Sequence, residues 1–282
     1  MTFLSSLKWV RRGSGLTRYT RRMANTQQYR APFPPGRSEP CFCGSGRRFK
    51  HCCGSADPMR SVPHGIDIVE DFLSPDECRE WVEFAAARPS ERLRVIDWKA
   101  ADPSVARKLD DRRVTERVHM GDDRDAQLRE LVERIYVSTI ASRLGRKFAW
   151  FESPQVLKYN VGGFYEAHAD ADSYDAERRG WYHHLDRDVS LLLYLNDDFE
   201  GGELQFEYFN FRIRPRPGML VWFPSDARYF HRANPVQSGT RYAVVSWAAL
   251  SDTEKLHDGL PDRAVLLDPK FLPASMRQPE AR

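Results

Sequence analysis

Two hydrophobic periodicities divide the chain. Near residues 74–85 and 125–144 apolar side chains recur at helical spacing, whereas from residue 148 onward they fall in short runs, rich in aromatic and β-branched residues and separated by turns. Ser74 as N-cap, Pro75 at the first helical position and Glu77 three residues after the cap form a capping box. Cys78, Trp81, Val82 and Ala85 follow as an apolar stripe, so Cys78 reads as a core residue rather than a reactive thiol. The run from Ile66 to Phe72 before this helix reads as a strand. A second helix is expected from 125 to 144, with Leu128, Leu131, Val132, Ile135, Ile140 and Leu144 on one face and Gly145 as its stop. The intervening stretch, 89 to 123, is charged and irregular, with short strands expected near 93–98 and 113–119.

Strands are expected at 149–151, 155–159, 165–170, 189–196, 203–206, 211–214, 219–224 and 241–248. Helices first and strands later predict helices laid on one side of a two-sheet body. The fold class is α+β, mainly β: a double-stranded β-helix (jelly roll) with supporting helices, spanning 64–250. Residues 251–282 read as a polar tail, with a mobile Pro-containing end from Pro269.

Composition changes this picture little. With 282 residues, 41% hydrophobic and 29% charged, the chain has material for one sizeable core plus an appendage, or for two domains. It contains no run of eighteen apolar residues, so no membrane span is expected. Charge is modest overall, +3, but unevenly placed. Lys8, Arg11, Arg12, Arg18, Arg21, Arg22, Arg30 and Arg37 precede Cys41 against Glu39 alone, which leaves the body net acidic. Nucleic acid is therefore not the expected partner. The basic segment up to about residue 25 has three open readings: an organellar targeting segment, a disordered arm, or an extension upstream of a start at Met23. The proline-rich run 30–40 reads as a stiffened linker, making 1–40 a head and linker.

Four of five cysteines, Cys41, Cys43, Cys52 and Cys53, lie within thirteen residues. Such clustering favours a metal site over a disulfide framework, and with it a reducing, cytoplasmic compartment. A Gly44-Ser45-Gly46 turn between the pairs lets the backbone reverse and bring four thiolates into a tetrahedral set suited to zinc. Arg47, Arg48 and Lys50 can offset its negative charge, and His51 is a substitute ligand. The segment 41–56 resembles the SEC-C motif. That resemblance implies zinc on the four cysteines and a role in contacting protein partners, in translation or secretion.

The densest chemistry lies at His168-Ala169-Asp170. On a strand, alternate side chains share a face, so both groups can close on one ion, and His231 would complete a set of two imidazoles and one carboxylate. Three ligands on one face of an octahedral ion, with three positions left open, point to non-heme Fe(II) and oxygen chemistry. Adjacent residues diverge in direction, so His183-His184 are poor candidates for ligands, and Asp172 and Asp175 read as solvated loop acids.

These residues carry a resemblance. The runs Tyr159-Asn-Val-Gly-Gly-Phe-Tyr165-Glu-Ala-His168-Ala-Asp170, Val189 to Asn196 with Gly201-Gly202-Glu203-Leu204, Pro217 to Phe223, then His231, Arg241-Tyr242 and Trp247, resemble the prolyl 4-hydroxylase-like 2-oxoglutarate and Fe(II)-dependent dioxygenases. The resemblance implies iron on His168, Asp170 and His231, with 2-oxoglutarate as cosubstrate. It also implies Arg241 as the two-pronged partner of the cosubstrate's far carboxylate, with Tyr194 and Tyr159 as phenols beside it. Collagen-type members carry Lys where Arg241 stands. Ascorbate belongs among the expected auxiliary factors.

The loop 171–188 carries Tyr174, Arg178, Arg179, Trp181 and Tyr182, and is either a substrate lid or a surface excursion. Trp181 and Tyr182 are its candidate substrate contacts. The expected function is hydroxylation of a protein side chain, a prolyl residue foremost, with the zinc module docking a partner. The same mechanism on a small molecule is the alternative, and a non-catalytic adaptor the remote one.

Overall fold

The computed structural model describes residues 35–42, 45–55, 62–96, 107–257 and 259–271; the basic head with its open readings, Cys43, and the chain end beyond 271 lie outside the described residues. Nine strands form one antiparallel sheet around Val189–Tyr194 and Arg241–Leu250, which pair directly, Leu192 opposite Val245. Leu220–Pro224 and Asp67–Val69 continue the sheet on one side. Gln155–Tyr159, Glu116–Val118 and Ser90–Arg92 continue it on the other. A second sheet runs in the order Phe211–Ile213, Leu204–Phe206, His231–Ala233, Phe164–His168, Arg113–Val114.

Every residue of Val189–Tyr194 is buried, because both faces of this strand are covered. Leu191 and Leu193 pack with Val132, Ile135, Trp222 and Val244 beneath the helices. Leu192 and Tyr194 point the other way, toward Leu204, Phe206, Phe223 and Val245. The sheet thus divides two cores, and the candidate site residues fall on the one between the sheets.

The helices form as the capping and periodicity signals predict, with one correction. In Pro75–Ala86 the Glu77 amide donates to Ser74 Oγ (3.3 Å) and the Ser74 amide to Glu77 Oε2 (2.8 Å). The second helix is not one regular α-helix. Asp122–Arg134 passes into a wider π segment, Ile135–Ile140, before Ala141–Leu144, and Gly145 ends it at φ 65°. Ile135 and Ile140, five residues apart, share a face only in the i→i+5 geometry, and both are fully buried with Tyr136.

One further expectation is corrected. The segment after Leu250 is in part a structural element: Ala264–Leu266 pairs with Phe148–Glu152, and Phe271 packs edge-on to Trp150. The zinc-type module packs on the body. Cys41, Phe49, Cys52 and Cys53 belong to the same buried cluster as the inner faces of the two sheets. Among the described residues no helix is long and apolar enough to cross a membrane.

Candidate functional site

His168 ends its strand directly opposite His231, the first residue of the neighbouring strand, and their ring centroids lie 4.4 Å apart. Asp170 is not on that strand, which stops at His168; it sits on the bend that follows. The bend, rather than strand alternation, aims its carboxylate back between the two rings. Asp170 Oδ1 is 3.6 Å from His168 Nε2 and Oδ2 is 3.7 Å from His231 Nε2. All three groups converge within 4.8 Å of one another.

The surroundings fix which nitrogen faces the centre. His168 Nδ1 lies 2.8 Å from the Glu166 carbonyl and His231 Nδ1 2.8 Å from the Tyr229 carbonyl. A ring nitrogen that close to a carbonyl carries the proton, so each Nε2 presents its lone pair to the shared space. Burial, reinforced by His168, pushes His231 down to about 4, keeping its imidazole neutral at physiological pH. Burial alone would raise Asp170, but the two histidines and the Ser190 hydroxyl, which donates to Oδ2 at 2.6 Å, hold it well below the carboxylate range. Two imidazoles with their Nε2 atoms facing inward and one carboxylate around an open space suit Fe(II) and leave positions for exogenous ligands.

A second group of predicted residues meets beside the same cavity, which Arg241 and Tyr159 line. Arg241 opens its strand opposite Tyr159, with its guanidinium 4.5 Å from the Tyr159 ring and 5.2 Å from that of Tyr194. It is 1% exposed, and its Nη1 donates to the Gly202 carbonyl at 3.0 Å. Gly202 is at φ 65°, and a Cβ there would press on Phe199 at 3.0 Å and on Arg241 Cδ at 3.2 Å. Among the described residues, Arg241 Nε and the Tyr194 hydroxyl are buried without a hydrogen-bond partner. Two unpaired buried donors are costly, and a ligand carboxylate would satisfy both. Burial pushes Tyr194 up to about 12, so it remains a donor. The donor set therefore fits 2-oxoglutarate as well as the metal.

Sequence reasoning missed the supports. Ser190 holds Asp170 and is itself 2.8 Å from Ser225; its one signal was a lone hydroxyl within an apolar strand. Arg187 is paired with Glu152 (Nη2 to Oε2 2.7 Å), donates to the Asp170 carbonyl at 3.1 Å, and lies 4.0 Å over the Trp247 ring. Tyr165 stacks on His168 at 3.6 Å and is covered by Arg113.

The loop after Asp170 is a hairpin, Asp172–Asp175 paired with Gly180–His183. Asp172, expected as a solvated acid, is buried; it accepts from the Ala227 amide (2.7 Å) and lies 2.7 Å from His183 Nδ1. Trp181 is buried against Phe230 (5.4 Å) and Tyr174 (5.4 Å), and Tyr182 is half-buried with its ring 6.2 Å from His184. Neither lines the cavity between the sheets.

In the N-terminal module the sulfurs of Cys41, Cys52 and Cys53 lie within 4.8 Å of one another, and Ser45 Oγ is 3.1 Å from Cys52 Sγ. Cys43, the fourth predicted ligand, lies outside the described residues. Three converging soft donors suit zinc. Cys78 is remote from them in the helix core, its thiol pushed up to about 11 by burial.

Known proteins resemble this chain in sequence and in fold. The profile of the 2OG-Fe(II) oxygenase superfamily matches residues 154–249, and that of the SEC-C motif residues 37–55. Prolyl 4-hydroxylase 1 of Arabidopsis thaliana is 30% identical over 206 residues, covering 64% of this chain and 68% of the plant protein. A PKHD-type hydroxylase of Nitrobacter winogradskyi is 26% identical over 189 residues, covering 64% of this chain and 77% of its own. Among solved structures, the viral collagen prolyl hydroxylase vCPH of Paramecium Bursaria Chlorella virus-1 aligns over 66% of this chain and 96% of its own, at 19% identity and a TM-score of 0.42.

Proposed function

The chain belongs to the prolyl 4-hydroxylase-like members of the 2OG-Fe(II) oxygenase superfamily, a 2-oxoglutarate-dependent dioxygenase, and from that premise we propose that it hydroxylates a protein side chain, a prolyl residue foremost. Bound Fe(II) and 2-oxoglutarate supply the oxidation: one atom of O2 enters a substrate C–H bond as hydroxyl and the other leaves in succinate, with loss of CO2. The chain's own residues hold and orient these groups. His168, Asp170 and His231 are the iron ligands, with Ser190 and the carbonyls of Glu166 and Tyr229 fixing their directions. Arg241 receives the far carboxylate of the cosubstrate, with Tyr194 as a neutral donor and Tyr159 as an aromatic wall. The observation that carries this reading is the buried Arg241, its Nε without a partner, on the cavity that the two histidines and Asp170 also line.

The finer parts of the reading rest on chemistry. The Cys41, Cys43, Cys52 and Cys53 module holds zinc and docks the protein that is to be hydroxylated, or an escort of it. Its outward side is basic, with Arg37, Arg47, Arg48 and His51 exposed, which favours an acidic partner surface. The hairpin with Trp181 and Tyr182 closes over the substrate, and ascorbate would serve as an auxiliary reductant.

The test is anaerobic addition of Fe(II) and 2-oxoglutarate, which should give a weak visible charge-transfer band that His168→Ala or Asp170→Ala abolishes. Absence of both the band and succinate formation in the wild type would sink the iron and cosubstrate assignments. Capture of proteins on segment 30–56, then mass spectrometry for one added oxygen atom, tests the substrate class. No specific protein would favour a small-molecule substrate.

A further inference from the structure

A chain of buried contacts joins the thiolate module to the iron site. In the module, Phe42 lies 5.9 Å from Phe49 and 5.1 Å from Phe209, which sits in the turn between Leu204–Phe206 and Phe211–Ile213. Phe209 is fully buried and continues to Tyr229 at 5.3 Å. Tyr229 is buried too, and three of its groups are engaged at once. Its backbone carbonyl accepts from His231 Nδ1 at 2.8 Å. Its ring rests between Phe209 and Phe223 (6.4 Å), and Phe223 in turn meets His231 edge-on at 4.9 Å. Its hydroxyl donates at 2.9 Å to the carbonyl of His64, in the segment that leads from the module into the body. The fit there is close: a Cβ on Gly65, at φ 85°, would come within 1.9 Å of the Tyr229 hydroxyl oxygen.

Resting on the assignment of His231 as a metal ligand, we propose that Tyr229 is a positioning residue through which the thiolate site sets how well the His168, Asp170 and His231 site holds its metal. The physical reason is that the module has few apolar residues of its own. It keeps Phe42 and Phe49 in place only while its cysteines are clamped by a metal. Release of that metal frees the module side of Phe209 and the partner of the Tyr229 hydroxyl together. The Tyr229 carbonyl then no longer holds His231 in one tautomer and one direction, and an orienting partner of this kind is worth tenfold or more in metal affinity. Coupling between two binding sites is reciprocal, so the metal at the body site also strengthens zinc binding by the module to the same degree.

The experiment uses the full chain and Mn(II) alone as the probe, its binding counted from the loss of the free-ion electron paramagnetic resonance signal. Cys53→Ser, shown by metal analysis to have lost zinc, is expected to bind Mn(II) at least fivefold more weakly than wild type. Tyr229→Phe, which keeps the ring and removes the hydroxyl, is expected to weaken Mn(II) and to shrink the further effect of Cys53→Ser to less than twofold. If Cys53→Ser does not fold, Phe42→Ala interrupts the same path with all cysteines intact and should weaken Mn(II) at least threefold. Mn(II) affinity within twofold of wild type in a folded, zinc-free Cys53→Ser protein overturns the coupling while leaving the iron-site assignment intact. A wild type that binds no Mn(II) overturns both.

Discussion

At the scale of single residues the site is held by side chains that never touch a ligand. Ser190 is the clearest case, since it donates to Asp170 from the middle of an otherwise apolar strand. Ser190→Ala should weaken Fe(II) about 10- to 100-fold, the usual cost of losing an orienting partner, read by titration of the charge-transfer band with folding unchanged by circular dichroism. Arg241→Ala removes a charged, buried partner for a carboxylate, about 1.5–3 kcal/mol. It should raise the KM for 2-oxoglutarate ~10- to 100-fold while Mn(II) binding stays near wild type. Titration separates the cysteines. Burial holds Cys78 protonated up to about pH 11, so native protein at pH 8 should resist iodoacetamide at Cys78 even after chelator treatment under which the module cysteines react. For the metal-free protein, the depressed His231 favours folding above its usual value of 6.5, and that contribution is lost as the pH falls toward about 4. The urea midpoint should therefore decline across that window, and less steeply in His231→Gln.

Among the elements, those with local signals were legible in the sequence. The capping box at Ser74 and Glu77, the stop at Gly145 and the strand at Val189–Tyr194 all appear where expected. What could not be read is set by contacts distant in sequence. The widened turn at Ile135–Ile140 answers to the sheet beneath it, and Ala264–Leu266 becomes a strand because Phe148–Glu152 offers an open edge. Asp170 was rightly grouped with His168 for a wrong local reason, since the bend after the strand, and not the strand, directs it. Asp172 read as solvated because nothing nearby in sequence announces the Ala227 amide that it accepts from. The hairpin it begins is anchored by Trp181 on Phe230, next to His231. If it serves as the lid, Trp181→Ala should reduce substrate hydroxylation far more than uncoupled succinate formation; equal loss of both would remove the lid role.

For the molecule as a whole, the large sheet is a partition: its outer face is a scaffold of helices and its inner face is the wall of the site. That Arg241, Tyr194 and His231 come near one another was expected from the family resemblance, which already set them in order along the chain. The seating of the module on Phe209 was not, since Phe42 and Phe209 are 167 positions apart and no periodicity links them. The partition also bears on how this protein can fail. Side chains on the central strand alternate between scaffold and chemistry, so a pairing slip of one residue at Val189–Tyr194 would swing Leu191 and Leu193 into the cavity and bury Ser190 and Tyr194 under the helices. A chain misregistered there could neither pack nor hold its cosubstrate. Catalytic competence in this protein therefore doubles as proofreading of its own assembly: any molecule that turns over has been built in register.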